Sequence, residues 1–486
     1  MSGDNNWFTE IFAPSGSAFG LAITKKLDEV QSPFQKIEMF DTTHFGNLMV
    51  IDGVIMLSSR DNFLYHEMLS HPVLFTHANP KNVVIIGGGL VGGLTALLLA
   101  QGGVQATVLD AAPILDEQKN LSVANPRVLA LSQATIHLLK TVDVWDKIAR
   151  QMPYSGMQVW NKNGYGEINF GHASKQEPHG EQALGSMVEP SLLNLAIQQQ
   201  MLAVLNDYRT QVKVARVEEG VGLWYIHLAD GTVLKTKLVI GADGANSFVR
   251  EQAFIDIDVL DYKQAGLSCA IRTAQPHQHV ARQIFLETGP LAFLPMASLK
   301  PEQAGHWQSI VWTLPDDYAE EYAALSDAEF TQLLTRESHH MLGEVLEATP
   351  RATFPLKARA AQQYVKAGLA LIGDAAHVIH PLAGQGVNIG CLDAAVLCDV
   401  LLHDLARGVW AHEQTLKRYE HRRKGQNDAM MHSMSAIGWM ETTQLFPVVW
   451  ARNFGLKQVE KLPVLKDAFM AQANGLGLLK ETRYAV

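Results

Sequence analysis

Cysteine is scarce in this sequence: Cys269, Cys391 and Cys398 are the only three in 486 residues. They are too few and too scattered for a disulfide framework. No Cys-x-x-Cys pair exists to grip a metal, so a reducing compartment is expected. Positive charge is also short. Lys and Arg number 39 against 49 Asp and Glu, for a net charge of −10. A general nucleic-acid binder needs a basic face to displace counterions, so no nucleic-acid partner is expected. The opening MSGDNNWFTE has no basic segment followed by an apolar run, which argues against a secretory signal. Internal repeats and low-complexity tracts are lacking too. The length allows two to four domains, and the 47% hydrophobic content supports cores of ordinary size.

One apolar run, Val83 to Val104, is long enough to imitate a membrane span. Gly87, Gly88, Gly89, Gly92 and Gly93 interrupt it where a strand would hand over to a helix. A strand buried on both faces also reads as a continuous apolar run, so strand and helix are expected here, and no span. Upstream, Leu48–Ile51 and Val54–Leu57 flank Asp52-Gly53, a hairpin signal with a type I′ turn. Asp61–Phe75 reads as a helix broken by Asn79-Pro80. Downstream, strands and helices alternate. Strands are expected at 106–109, 158–160, 167–170, 238–240 and 369–372. Helices are expected after Pro126 up to Lys140, over 191–206 and over 386–403. The span 260–365 reads as mostly strand, with a helical insert near 324–342, and the remainder as helical.

Three motifs carry chemistry. The first is Gly87-x-Gly89-x-x-Gly92 between a strand and a helix. Its glycines allow a tight turn and close backbone approach to a pyrophosphate, with the helix N-terminus facing the charge. Asp110 ends the next strand at the spacing expected of an acid that binds a ribose hydroxyl. The second runs from Leu238 through Asp243-Gly244 to Arg250. The third, Gly373-Asp374-Ala375-Ala376-His377, continues through His380-Pro381 and Gly384-Gln385-Gly386 to Asn388. An Asp at such a strand end can accept bonds from ribityl hydroxyls. A helix N-terminus beside a flavin favours negative charge on the ring.

In this order the motifs resemble the FAD-binding, DG and GD motifs of the group A flavoprotein hydroxylases. Arg127-Val128, Tyr154-x-Gly156-Met157, Leu291–Pro295, Gly373–Asn388, Arg418-Tyr419-x-x-Arg422-Arg423-Lys424 and Arg452-Asn453 are similar to the ubiquinone-biosynthesis hydroxylases. Ile271–Thr273 through Ala281-Arg282-Gln283 most resembles their 2-polyprenylphenol 6-hydroxylase branch. The resemblance implies an α/β fold: a Rossmann-like FAD domain of the p-hydroxybenzoate hydroxylase kind under a mixed-sheet substrate domain. It implies FAD as cofactor and NAD(P)H as reductant. Oxygen then adds to the reduced flavin as a C4a-hydroperoxide that a lipophilic phenol attacks. Cofactor contacts fall on Gly87, Gly89, Gly92, Asp110, Arg127, Asp243, Gly244, Gly373, Asp374, Gly384, Gln385, Gly386 and Asn388. His377, His380 and Pro381 lie in the loop bordering the flavin, where structural and catalytic roles are equally open. No carboxylate or cysteine at ligand spacing makes the two histidines a metal site.

Residues 1–80 resemble the N-terminal part of spermidine synthases, the polyamine aminopropyltransferases. The carriers are Trp7–Glu10, Ser32-x-x-Gln35, Phe45–Asn47, Leu48–Leu57 and Arg60-Asp61-x-x-x-Tyr65-His66-Glu67-Met68. By that pattern Gln35 would touch a nucleoside, and Tyr65 and His66 would line an amine pocket. After Val83–Gly89, shared by both families, Leu90-Val91-Gly92 replaces the expected Asp-Gly, and no catalytic aspartate loop follows. The chain therefore reads as a fusion whose aminopropyltransferase alternative is inactive.

The expected domains are a β-rich appendage at 1–80, an FAD domain at 81–155, 181–258 and 366–410, a substrate domain at 156–180 and 259–365, and C-terminal helices at 411–486. The location expected is the cytoplasm, with a peripheral place at the inner membrane as one reading. The apolar tail from Met430 to Trp450, beside Arg418, Arg422, Arg423 and Lys424, has two readings: a contact for bilayer edge or partner proteins, or ordinary helix packing. Exposed hairpin edges in the appendage could drive oligomers.

Overall fold

The computed structural model describes residues 6–12, 16–60, 83–162, 167–171, 183–379, 385–442 and 474–485. The chain divides into two units, Met1–Pro80 and Lys81–Val486. The helix expected at Asp61–Phe75, with Tyr65 and His66, lies outside the described residues.

The first unit is a five-stranded antiparallel meander: Trp7–Phe12, Ser17–Gln31, Lys36–Thr42, Gly46–Ile51 and Val54–Ser58. The hairpin at Asp52-Gly53 forms as expected, with φ of +49° and +84° at the two turn residues. The first three strands escaped the sequence reading. Ser17–Gln31 is long because it serves two partners: its first half pairs with Trp7–Phe12 and its second half with Lys36–Thr42. Register shifts at Ile23/Lys25 and Lys26/Asp28 disturb the alternation that would have announced it. Leu21, Phe40, Leu48 and Val50 form a small core.

The second unit is built on a six-stranded sheet. Its order is Asp207–Arg209, Thr107–Leu109, Val83–Ile86, Leu238–Gly241, Leu369–Leu371 and Val365–Lys366, parallel except at the last pair. The apolar run from Val83 resolves into a fully buried strand and the helix Leu90–Gln101. That helix packs against Pro190–Val204 and Gly386–Leu405. Gly386–Leu405 is long and apolar enough to cross a membrane, but 78% of its most apolar stretch is buried in the fold, as in a core helix. All three cysteines are buried free thiols.

A nine-stranded mixed sheet forms the second layer, with Gly156–Asn161, Val280–Leu286, Gly289–Pro295, Trp307–Pro315, Ile257–Thr273 and Ala352–Ala361 at its centre. One face packs on the helices Asp316–Ala324 and Asp327–Glu337 through Phe330, Leu334, Trp312 and Phe293. The sequence placed one insert here; there are two helices, because Ser326 and Glu329 form a capping box that starts the second. The other face presents Ala281 and Leu294 to Val128, Met187 and Tyr154. A meander of Val214–Glu219, Trp224–Leu228 and Val233–Thr236 was also missed.

Candidate active site

The site forms where the parallel sheet hands over to its helices. At Gly87 φ is +107°, and a Cβ there would lie 2.3 Å from the Ala242 carbonyl oxygen. Gly92 packs on the same turn so closely that a Cβ would sit 1.9 Å from the Gly87 oxygen. Gly89 is different. Its φ of −69° suits any residue, and an added Cβ would meet no atom within 4 Å. Packing thus accounts for Gly87 and Gly92 but leaves open space before Gly89. The helix starting at Leu90 has no side-chain cap and no acid in its first turn, so its free N–H groups suit an anion.

Asp110 follows the neighbouring strand. Its Oδ1 accepts the Ala112 N–H at 2.9 Å. Its Oδ2 lies against Gly88, where a Cβ would approach it to 2.6 Å, and takes no donor among the described residues.

Asp243 behaves otherwise. Its oxygens accept the Ser247 hydroxyl at 2.5 Å and the Val249 N–H at 3.0 Å, so the carboxylate braces its own turn. Gly244, at φ +83°, borders open space. Arg250 is buried and donates to the carbonyls of Ala375 at 2.8 Å and Ala245 at 3.1 Å, lacing the second motif to the third. Burial lowers its pKa from the usual guanidinium value.

In the third motif Gly373 takes φ +57°. Asp374 keeps an exposed surface where it faces a cavity, yet the protein around it desolvates the carboxyl and raises its pKa, against the opposing pull of His377 and Arg127. It accepts no hydrogen bond among the described residues. His377 is turned inward, its Nε2 2.5 Å from Asp393 Oδ2. Asn388 is also turned inward: Oδ1 accepts Ser132 N–H at 2.9 Å and the Thr135 hydroxyl at 2.8 Å, while Nδ2 donates to Ala130 O at 2.9 Å. Those bonds dock the long helix on the strand Leu129–Ser132. Gln385 precedes that helix, which again lacks a side-chain cap. His380, Pro381 and Gly384 lie outside the described residues.

The cavity has a volume of about 320 Å³. Arg127, Asp374, Gly386 and Val387 line one part of it; Met157, Ala292, Leu294, Val311 and Phe354 make an apolar wall from the nine-stranded sheet. Arg127 stacks over Phe354 at 5.6 Å. Sequence reasoning assigned no role to Asp393 or Phe354, and read Arg423 only as part of the basic run beside the apolar tail. The usable signal was Asp393 itself, a carboxylate flanked by Leu392, Ala394 and Ala395 in the apolar first half of the helix, which needs a buried partner. Arg423 supplies it at 2.7 Å. The basic run is therefore no free cationic face: Arg418 meets Asp404 at 2.6 Å, Arg422 meets Asp399 at 2.9 Å and Lys424 meets Asp428 at 3.1 Å.

Residues 81–433 match the model of the FAD binding domain family, and residues 6–59 match the spermidine synthase tetramerisation domain. A 3-demethoxyubiquinol 3-hydroxylase of Escherichia coli is 36% identical over 407 residues, covering 82% of this chain and 99% of its own length. The mitochondrial ubiquinone biosynthesis monooxygenase COQ6 of Drosophila melanogaster is 31% identical, covering 81% of this chain and 90% of its own. A polyamine aminopropyltransferase of Stenotrophomonas maltophilia is 62% identical over 118 residues, which are 24% of this chain and 40% of that protein. Among solved structures, p-nitrophenol 4-monooxygenase PnpA of Pseudomonas putida superposes with a TM-score of 0.64 at 18% identity, covering 81% of this chain and 97% of its own. PqsL of Pseudomonas aeruginosa, a probable FAD-dependent monooxygenase, gives 0.62 at 21%, covering 76% and 99%. At these identities the two structures speak for the fold.

Proposed function

Because this chain belongs to the FAD-binding monooxygenase family, with a spermidine-synthase-type segment ahead of it, we propose that it hydroxylates the aromatic ring of a polyprenylated phenol or quinol in ubiquinone biosynthesis, using NAD(P)H and O2. The observation that carries this reading is the cavity, in which an apolar sheet wall adjoins the Asp374–Gly386 end of the third motif.

The residues present fit FAD. The open space before Gly89 and the uncapped helix behind it suit a pyrophosphate. Asp110 Oδ2 suits a ribose hydroxyl, and Asp374, a desolvated carboxyl with no donor among the described residues, suits ribityl hydroxyls. Bound there, FAD would supply electron transfer from NAD(P)H and the activation of O2. The chain's own contribution is placement. The uncapped N-terminus at Gly386 favours negative charge before it. Met157, Leu294, Val311 and Phe354 would hold an apolar ring and exclude water. Asp243, Asn388 and His377 serve by fixing the turns on which the cofactor rests.

Aminopropyl transfer is not favoured, since the shared segment spans 40% of that relative's length. We assign the segment instead to self-association. Its strands expose Trp7, Ile11 and Phe19, and the connection after Gln31 exposes Phe34, large apolar side chains that a second copy could cover. A peripheral membrane position remains our reading for so lipophilic a substrate; most of the tail that would carry it lies outside the described residues.

The test is the visible spectrum of the purified chain, identification of the acid-released flavin, and product analysis after NAD(P)H oxidation with a polyprenylphenol. Stoichiometric FAD and a ring-hydroxylated product support the proposal. Bound FAD with no hydroxylation of any prenylated phenol refutes the substrate class.

A further inference from the structure

The apolar wall of the cavity carries a side-chain amide, Gln283, that no described residue satisfies. Gln283 sits in the strand Val280–Leu286, between Val159 and Ala292 on the adjoining strands. Strand alternation puts it on the same face as Ala281, which packs on Met187 and Tyr154, and it lines the cavity with Met157 and Ala292. Its neighbour Arg282 belongs to the opposite set. Arg282 Nε donates to Gln158 Oε1 at 2.9 Å, and Nη1 donates to the carbonyls of His277 and Val280 at 2.8 and 3.1 Å.

The charged groups around the cavity have partners or a role already described. Lys357 pairs with Asp261 at 3.3 Å, Arg127 stacks over Phe354, and Asp374 belongs to the third motif. The Gln283 amide, half-buried, makes no hydrogen bond among the described residues. An amide with two donors and an acceptor left unspent on an apolar wall is costly unless a ligand or solvent satisfies it. Ligand pockets commonly consist of apolar walls with a few such groups that set orientation.

We propose that Gln283 recognises the oxygen substituents of the substrate's aromatic ring, its carbonyl accepting from a ring hydroxyl and its NH2 donating to a ring oxygen. The proposal rests on the phenol-hydroxylase reading above and deepens it. An apolar wall grips a ring without fixing its rotation, whereas one directional contact to a ring oxygen selects which carbon faces the flavin end of the cavity. Gln283 is thus a specificity-determining residue. Its substitution should alter ligand discrimination and product position while leaving FAD retention alone, since it stands on the sheet wall and in none of the three motifs.

The experiment uses the full-length holoenzyme and two probes, 2-prenylphenol and its methyl ether. Their binding is followed by calorimetry, and their hydroxylation by product analysis against NAD(P)H consumed. The native chain should bind the phenol more tightly than the ether. Gln283→Leu, close to Gln in volume, should weaken phenol binding roughly tenfold, the worth of a lost hydrogen bond, and bind both probes alike. It should also yield less product per NAD(P)H. Gln283→Asn draws the same amide back by one methylene and should fall between; it carries the comparison if the Leu variant does not fold. Native affinity and native preference in both variants overturn the proposal, as does a native enzyme indifferent to the two probes. A native enzyme that binds neither probe overturns the pocket assignment as well. Discrimination that depends on Gln283 without any hydroxylation upholds the recognition role and removes the proposed reaction.

Discussion

His377 Nε2 and Asp393 Oδ2 lie 2.5 Å apart in the interior, and the second Asp393 oxygen accepts from Arg423 Nε at 2.7 Å. The same Asp393 Oδ2 takes the Gly373 N–H at 3.1 Å. One buried carboxylate therefore ties the turn that bears Asp374 to two long helices, Gly386–Leu405 and Glu413–Thr442. Burial alone would push its pKa up, but His377 and Arg423 outweigh it and hold the carboxyl down at about 2.

Truncating Arg423 should be severe, because it strands a charge that has no water to turn to. Arg423→Ala is expected to cost about 3–5 kcal/mol, read as a lower midpoint in urea. A depressed carboxyl contributes stability above its ordinary pKa of about 4, and that contribution is lost as pH falls through its folded value of about 2. The native protein should thus weaken across that acid window more steeply than Asp393→Asn. Equal acid profiles for the two would remove the assignment.

The middle and last glycines of the first motif should fail in opposite ways. Gly92→Ala drives a Cβ into the Gly87 carbonyl at 1.9 Å, so the apoprotein itself should be destabilised. Gly89→Ala meets nothing, so the apoprotein should keep its melting temperature within a few degrees, about the cost of a weaker helix cap. FAD affinity should nonetheless drop at least about tenfold, since the methyl fills the space assigned to the pyrophosphate. Thermal melts with and without added FAD separate these outcomes; a Gly89→Ala protein with native FAD affinity would place the phosphates elsewhere.

Asp374 gives a pH test with the opposite sign to Asp393. Its pKa is raised in the protein alone, so ionisation is penalised there, and its favourable contribution is lost as pH rises through that raised value. Ribityl hydroxyls donating to the carboxylate would relieve the penalty. FAD should therefore bind more tightly as pH rises through the raised pKa. Asp374→Ala should lose both affinity and this dependence, while full FAD occupancy in that variant would sink the ribityl contact.

Elements with a single clear period were legible in the sequence, and those with divided loyalties were not. Val83–Ile86 and Leu90–Gln101 announced themselves through a buried apolar run broken by glycine, and Asp52-Gly53 through its turn chemistry. Ser17–Gln31 did not, because charged residues and register shifts interrupt its alternation. Gly87, Gly92 and Gly373 were readable because close packing or a positive φ demands glycine there. Whether an Asp or Asn spends its side chain on the protein or on a ligand was not readable. Asp243 and Asn388 look like ligand contacts in sequence, yet their polar atoms bond to Ser247, Val249, Ser132, Thr135 and Ala130, while Asp374 has no donor among the described residues. Arg423 looked like surface charge and is buried on Asp393, a pairing 30 residues apart that only the helix packing creates.

The N-terminal unit should be separable from flavin binding. Its five strands pair with one another, and every strand of the six-stranded sheet comes from residues 83–371. Val83–Ile86 takes its two neighbours from Thr107–Leu109 and Leu238–Gly241, so the first strand of the cofactor sheet needs nothing upstream for its ladder. A chain of residues 81–486 should accordingly retain stoichiometric FAD and its visible spectrum. Its mass by light scattering should fall to that of a smaller assembly if the exposed Trp7, Ile11, Phe19 and Phe34 hold copies together. Loss of flavin on truncation would show that the appendage supports the cofactor sheet. Unchanged subunit number with flavin intact would instead mean that these exposed apolar side chains have another use.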